Sequence, residues 1–494
     1  MERKNIFKKL VGGGILCALI FGFGVFSAYM GYRYLHRLKF TNPPVAVQLD
    51  STNLPIVNIE VLNNINRISR DDYVKVRVSI INNVSGLNFI DTITNPNQTL
   101  DYTGTAKMRY RGGGSLVLEK KSYALRLTDD NGEDKKAAIL GMKKSKKWCL
   151  LAVHRDGSMM RDILTYELSR PYFDYVPNAK YCELIINGNY QGVYLLSEEV
   201  SRDRLGIKKL KGGEGDMLRG YLLEKDQDLT FHSKYPSRDR NGNDISSEGV
   251  SIEIKYPKVR DLSDEQKQII QNEFNQMEDA IESGRYANYS QYIDVESFVN
   301  FFIVQELANN VDGYNRSVKL YKSSKDTRFK LAPWDFDVAY GNWMEFEGRY
   351  TDVWHYEDES EFLNYSQNAV FWWQRLIQDS IFKEMVKVKW GVLRKGDFSN
   401  ESINAVIDSL YYSLTVNDAI GRNSRAWRTW INKRQNAWSG KSFNDEVDYL
   451  RAWFMARLNY LDEQLLGIPL DDKQQEQTKQ VGEITMFKSR KSNN

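Results

Sequence analysis

"NNVDGYNRSVKLYKSSKDTRFKLAPWDFD", residues 309–337, decides how the rest of the chain is read. It begins where a helical pattern ends and passes through a polar loop carrying Asp312. It then crosses two strand-like stretches, "SVKLYK" and "RFKLAPWDF", that predict a hairpin. Asp335 and Asp337 fall at the end of that hairpin. Side chains alternate along a strand, so these two are expected on one side of it. Two carboxylates on one side suit a divalent cation. Magnesium in particular takes one or two carboxylates and leaves its other positions to water and phosphate oxygens. Asp312, on a separate loop, is placed to orient or deprotonate a hydroxyl.

Upstream of this segment the chain reads as strands. "LPIVNIEVL" and "DYVKVRVSII" alternate apolar and polar residues, and "TAKMRYRG", "SYALRLT", "WCLLAV", "YCELIINGNYQGVYLLSEEV" and "RGYLLEKD" follow. Within the longest, "INGNY" predicts a tight hairpin, because Asn187 and Gly188 tolerate positive φ. One helix interrupts, "SMMRDILTYELSR", with Met160, Ile163, Leu164 and Leu168 on one face. Residues 226–250 lack periodicity and are expected as a mobile loop. Beyond residue 258 the period becomes helical. "LSDEQKQIIQNEFNQMEDAIES" opens on a capping box, Ser263 with Gln266. "DVESFVNFFIVQELANN", "FWWQRLIQDSIFKEMVKVKW" and "FNDEVDYLRAWFMARLNYLDEQLLG" follow, the last stopping at Gly467 with Pro469 beyond. The expected fold class is α+β, mainly β over 46–257 and mainly α over 258–469. A polar tail occupies 470–494.

The rest of the composition sets limits. A chain of 494 residues can bury a large core. Its net charge of +3, with Lys and Arg scattered among Asp and Glu, argues against a nucleic-acid partner. Cys149 and Cys182 lie in strand-like runs without CxxC spacing and read as buried thiols, with one disulfide between them as the alternative. His36, His154, His232 and His355 are too dispersed for a zinc cluster. Residues 10–32 carry no charge for 23 residues, and about 20 helical residues cross a hydrocarbon core. They are expected to form a single transmembrane anchor after a short tail, 1–9, and before a linker, 33–45. Lys and Arg residues flank both ends, so the orientation, with the bulk of the chain outside the cytoplasm, rests on a weak bias. A cleaved signal peptide is the competing reading.

The carboxylates gain meaning from what precedes them. A glycine run, "RYRGGGS", can bring backbone N–H groups to phosphates. Lys120 and Lys121 follow at the head of a strand, and Glu198 in "LLSEEV" is available to pair with such a lysine. That order of parts is the logic of a protein kinase, in which a loop Asp handles the acceptor hydroxyl and a hairpin Asp holds metal against the nucleotide phosphates. The standard signatures GxGxxG, HRDLxxxN and DFG are nonetheless missing. Singly, each residue has a plainer reading: an aspartate in a turn is usually a cap, and a triple glycine is usually a turn.

In order, the blocks "RYRGGGS", "KKSYALRL", "KKWCLLAVHRDGSMMRDILTYELSR", "YCELIINGNYQGVYLLSEEVSRDR", "GYLLEKD", "IEIKYP", "VNFFIVQELANNVDGYNRS" and "LAPWDFDVAYGN" resemble the spore-coat-protein-H (CotH) kinase family. The resemblance runs from about residue 50 to 345. It implies an atypical protein-kinase-like fold and ATP-dependent phosphorylation of protein serines with Mg2+, or Mn2+ in its place. Asp312 is then the catalytic aspartate and Asp335 the metal ligand, with Asp337 assisting. Lys121, or else Lys120, meets phosphate, and Glu198 supports it. Arg111, Gly113 and Ser115 of the glycine run and Trp334 complete the nucleotide pocket. Two departures stand out: the run reads "RGGGS", and Asp162 stands where an Asn is frequent. Ser317 holds the place where a protein kinase has a metal-binding Asn, which makes it the third candidate ligand and leaves a second metal ion open. The expected partners are a serine-bearing coat or envelope protein and the membrane. Two other readings are a pseudokinase or surface interaction module, and a carbohydrate-acting envelope protein using the carboxylates as acid and base.

Overall fold

In the computed structural model the alternating stretches of the first half close into a barrel. The structure describes residues 37–39, 41–63, 65, 67–83, 86–90, 98–211, 217–226, 228–239, 241–343, 349–357, 369–428 and 442–469. The barrel strands are β1 (Ile56–Val61), β2 (Val74–Ile81), β3 (Leu100–Arg111), β4 (Ser122–Thr128), β5 (Lys147–Leu151), β6 (Ala179–Ile186) and β7 (Asn189–Glu198). They are ordered β5-β7-β6-β1-β2-β3-β4 and close back onto β5. Only the β6–β1 pair is parallel among them. Val57, Val76, Met108, Leu125, Leu184 and Tyr194 belong to its packed interior, so the barrel is a core and not a channel. At the β6–β7 turn, Asn187 and Gly188 have φ of 49° and 75°, the positive pair that the Asn-Gly signal predicts.

A second sheet holds β8 (Tyr221–Lys225), β9 (Phe231–Arg238), β10 (Asp244–Tyr256), β11 (Val318–Lys322) and β12 (Lys330–Ala332), in the order β9-β10-β8-β11-β12. The hairpin expected in 309–337 is the β11–β12 pair, with Leu320 opposite Leu331. The expectation of a mobile loop over 226–250 is corrected: those residues supply β9 and the start of β10. The alternation is real but hidden, because two of the inward positions are serines. Ser233 donates to Glu278 Oε2 at 2.6 Å and Ser237 to the Ala369 carbonyl at 2.7 Å, which satisfies both hydroxyls in the core. Leu222, Tyr321 and Ala332, on one face of the sheet, pack with Cys149 of the barrel. Tyr221, Leu223, Val318, Leu320 and Leu331, on the other face, join the large helical core.

The longer helices are α1 (Arg161–Ser169), α2 (Asp264–Glu282), α3 (Val295–Ala308), α4 (Ser380–Arg394), α5 (Asn400–Thr415), α6 (Ala419–Trp427) and α7 (Phe443–Leu466). The capping box opens α2 as read, and α7 stops at Gly467 in the left-handed conformation. Helix α3 is apolar nearly all round and therefore runs through the core. Its end at Asn309, with φ 39°, turns the chain into the Asp312 loop. Helix α6 is fixed to the barrel over Gly192, where an added Cβ would lie 2.4 Å from Asn423 Oδ1. Beside that contact Arg422 grips the buried Glu183 with two hydrogen bonds, 2.9 and 2.7 Å.

The fold is thus α+β. Cys149 and Cys182 are both buried and free, so the alternative disulfide is not formed. Residues 1–9, the apolar run 10–32 and the tail 470–494 lie outside the described residues. Among those described, no helix is long and apolar enough to cross a membrane.

Candidate active site

A cleft of about 870 Å³ opens between the barrel and the second sheet, within the usual range for a small-molecule site. One part of its wall is acidic. Asp162 comes from α1, Asp312 from the loop after α3, and Asp335 and Asp337 from the chain just past β12. Arg111 at the end of β3, Lys147 of β5 and Lys319 of β11 line the same cleft.

Each acidic side chain is held by its local backbone. In the Asp312 loop the N–H of Arg316 donates to the Asp312 carbonyl at 2.8 Å. Gly313 is pressed against α3 so closely that a Cβ would lie 2.2 Å from Gln305 Oε1. Strand β12 stops at Ala332, so the expectation that Asp335 and Asp337 share a strand face is corrected. They sit in an irregular turn, and both still reach the cleft while Phe336 between them is buried in the core. Asp335 has φ 67° and Ser317 φ 54°, left-handed conformations that a non-glycine residue adopts at a cost of ~1–3 kcal/mol. The two are joined, with Ser317 Oγ donating to Asp335 Oδ2 at 3.0 Å. Asn310 Nδ2 donates to the Asp335 carbonyl at 3.1 Å, and Asn342 Nδ2 donates to the Asp337 carbonyl at 2.7 Å. Asp162 Oδ1 accepts the N–H of Phe336 at 2.7 Å, so α1 braces the turn between the two candidate ligands.

These carboxylates repel one another in a poorly hydrated place. Burial, then the charge of Asp335, pushes Asp312 up to about 6. Burial, again followed by Asp335, pushes Asp337 up to about 7, although Arg155 opposes it and lies 3.9 Å away. Asp162 is raised well above the carboxylate range by burial, with Asp335 and Asp337 adding to it. Excess negative charge on oxygen-only donors suits a hard divalent cation. Among the described residues no three His, Cys, Asp or Glu side chains gather into a metal cluster of their own. An open carboxylate wall of this kind fits a magnesium ion whose remaining ligands are water and phosphate.

The cationic side is equally ordered. Arg111 lies 4.9 Å from the centre of the Trp334 ring, and Trp334 stacks in turn on Tyr166 with centroids 6.4 Å apart. Lys319 is ion-paired with Glu224, which also holds Lys255 at 3.0 Å. Burial, then Arg111, brings Lys319 down to about 7. Burial alone would raise Glu199, but Lys147, Arg111 and Lys319 hold it below the usual glutamate range.

The structure gathers most of the sequence-derived candidates here: Arg111, Gly113, Ser115, Asp312, Ser317, Trp334, Asp335 and Asp337 all border the cleft. It does not gather the lysine and its glutamate. Lys121 donates to the carbonyls of Leu116 and Leu118, tying down the loop after the glycine run. Lys120 touches the cleft, but its Nζ donates to the Val193 carbonyl and to Asn423 Oδ1. Glu198 is ion-paired with Arg204 at 2.9 Å and accepts from Tyr175 at 3.2 Å. The expected pairing of Glu198 with either lysine is therefore corrected. Glu199, its neighbour on the opposite side, is the glutamate that faces the cleft. Sequence reasoning also missed Lys319 and Glu224. The signal for Lys319 was the hairpin register, which sets it opposite Ala332 and hence on the face that continues to Trp334.

A family model described as CotH kinase protein matches residues 108–461, a span that includes all of these site residues. The chain is also similar to the inner spore coat protein H of Bacillus subtilis (strain 168), 22% identical over 263 residues. That match covers 51% of this chain and 66% of the relative, just under two thirds of its length. Because the family model spans well over half of the sequence and takes in both walls of the cleft, the chain belongs to the CotH kinase protein family.

Proposed function

We propose that the chain is an atypical kinase that transfers the γ-phosphoryl group of ATP to a protein hydroxyl, serine before others, with Mg2+ or Mn2+. The observation that carries this reading is the gathering of Asp162, Asp312, Asp335 and Asp337 in one cleft, with Arg111 and Lys319 close enough to feel the charge of Asp335. As the acceptor oxygen attacks the γ-phosphorus, its proton passes to Asp312, and the bond to the bridging oxygen breaks to leave ADP. A base pushed up to about 6 suits proton removal near neutral pH. Asp335 and Asp337 would hold the metal. Ser317 orients Asp335 through its hydroxyl proton and keeps its oxygen lone pairs available for a cation. When bound, the metal neutralises charge on the phosphates. Trp334 and Tyr166 form an apolar floor, and Arg111 and Lys319 supply positive charge above it.

Family membership supports phosphoryl transfer as the reaction class. A coat or envelope protein is the acceptor we favour, in line with the relative's description. Residues 10–32 would anchor the chain in a membrane with its bulk outside the cytoplasm. The test is to incubate the full chain with γ-labelled ATP and either metal, then locate the label. We expect label on serine, lost in Asp335→Asn. No transfer, together with no nucleotide-dependent rise in unfolding temperature, would overturn the reading. A second reading, a pseudokinase kept for partner binding, draws on one observation: Lys120, Lys121 and Glu198 all have partners within the scaffold. It predicts nucleotide binding without transfer, or neither.

A further inference from the structure

Phosphoryl transfer needs a cation held rigidly against the phosphates, and kinases fix theirs with a glutamate. The residues first expected in that role have other partners. Lys121 is bound to two loop carbonyls, Lys120 to the Val193 carbonyl and Asn423, and Glu198 to Arg204. A lysine and glutamate pair does exist in the cleft, but on the other sheet. Strands β8 and β11 run antiparallel with Glu224 opposite Lys319, and the two side chains are ion-paired. Both are buried, and both border the cleft. Lys319 Nζ lies 5.9 Å from the Trp334 ring centre, the same ring over which Arg111 sits at 4.9 Å. Lys319 also follows the Asp312 loop directly, on the strand whose pairing with β12 delivers Asp335. One hairpin thus brings the candidate base, the candidate metal ligand and a fixed cation to one place.

We propose that Lys319, clamped by Glu224 and set beside Arg111 at the Trp334 indole, is the lysine that contacts the phosphates of the nucleotide. The inference rests on the kinase reading and gives the triphosphate a definite cationic seat in this chain. A plain cross-strand ion pair is the competing explanation, and the two differ in what they do to kinetics.

The test uses the full chain as wild type, Lys319→Met, Lys319→Arg, Glu224→Gln and the Lys319→Met/Glu224→Gln double variant. KM and kcat for ATP with Mg2+ are measured beside the nucleotide-induced shift in unfolding temperature. We expect Lys319→Met to lower kcat/KM for ATP roughly 100-fold. Lys319→Arg should recover part of that loss, and the double variant should stay as slow as Lys319→Met. Wild-type kinetics in Lys319→Met overturns the proposal, and so does recovery of activity in the double variant, which would mark the pair as structural. If Lys319→Met does not fold, the double variant decides, since it leaves neither charge buried alone. A wild-type protein that neither binds nor consumes ATP sinks the kinase reading itself, an outcome distinct from failure of the variant alone.

Discussion

The barrel edge around residues 111–121 and the segment 309–337 contain the same kinds of residue, yet they use them differently. At the barrel edge, Lys120 and Lys121 are satisfied by carbonyls and an asparagine of the scaffold. A buried ammonium needs such acceptors, and once it has them it is part of the framework. In the segment, Asp312, Asp335 and Asp337 raise one another's proton affinity, with Arg155 3.9 Å from Asp337 and Arg316 acting on Asp312 as partial counter-charges. Like charge that the fold gathers at one cleft marks a site, whereas lysines bound only to backbone carbonyls and an amide mark scaffolding.

The comparison breaks first at the acidic wall. Asp312→Asn should lower kcat by roughly 10²–10⁴-fold, and Asp335→Asn should abolish labelling from γ-labelled ATP, both with unfolding temperatures near wild type. Wild-type rates in either variant would place the chemistry elsewhere. Next comes the support behind that wall. Arg161 is fully buried, pairs with Asp156 and donates to the Ala339 carbonyl at 2.9 Å. Arg161→Met strands that aspartate and should cost ~3–5 kcal/mol in urea unfolding.

A smaller effect is expected from Glu278 of α2, a neutralised group far from the cleft. Burial pushes it up to about 8, with Ser233 and Trp372 as hydrogen-bond donors opposing. Its folded value exceeds its ordinary one, so its contribution to stability is present at low pH and is lost as pH rises through about 8. Glu278→Gln should flatten the fall in stability as pH rises from about 5 to about 8, read by urea unfolding at each pH. The smallest expected effect is that of Lys121→Met, which should leave KM for ATP at its wild-type value. A rise matching that of Lys319→Met would return the barrel edge to the site.

What could be read from the sequence followed from how strongly each element is patterned. The barrel strands, the Asn-Gly hairpin and the capping box of α2 were legible because their periodicity and turn chemistry are local. Strand β9 was not, because Ser233 and Ser237 occupy buried positions where alternation is normally announced by apolar residues. Asp312, Asp335 and Asp337 were legible as one site, since loop and hairpin lie in a single stretch. The choice of Glu198 failed by one residue. Which of two adjacent glutamates enters a cleft depends on strand parity, and parity is fixed by pairing partners distant in sequence. Lys319 was hidden for a similar reason: its importance depends on Glu224, which a separate strand brings opposite to it.

The left-handed backbone at Asp335 sets what this position tolerates as sequences drift. Glycine enters that region of conformational space freely, and asparagine and aspartate do so at a smaller penalty than bulkier or branched residues. A descendant that abandoned catalysis could therefore exchange the carboxylate for Asn or Gly and keep its shape. Under the kinase reading, retired copies should carry either of those two substitutions in an otherwise unchanged body.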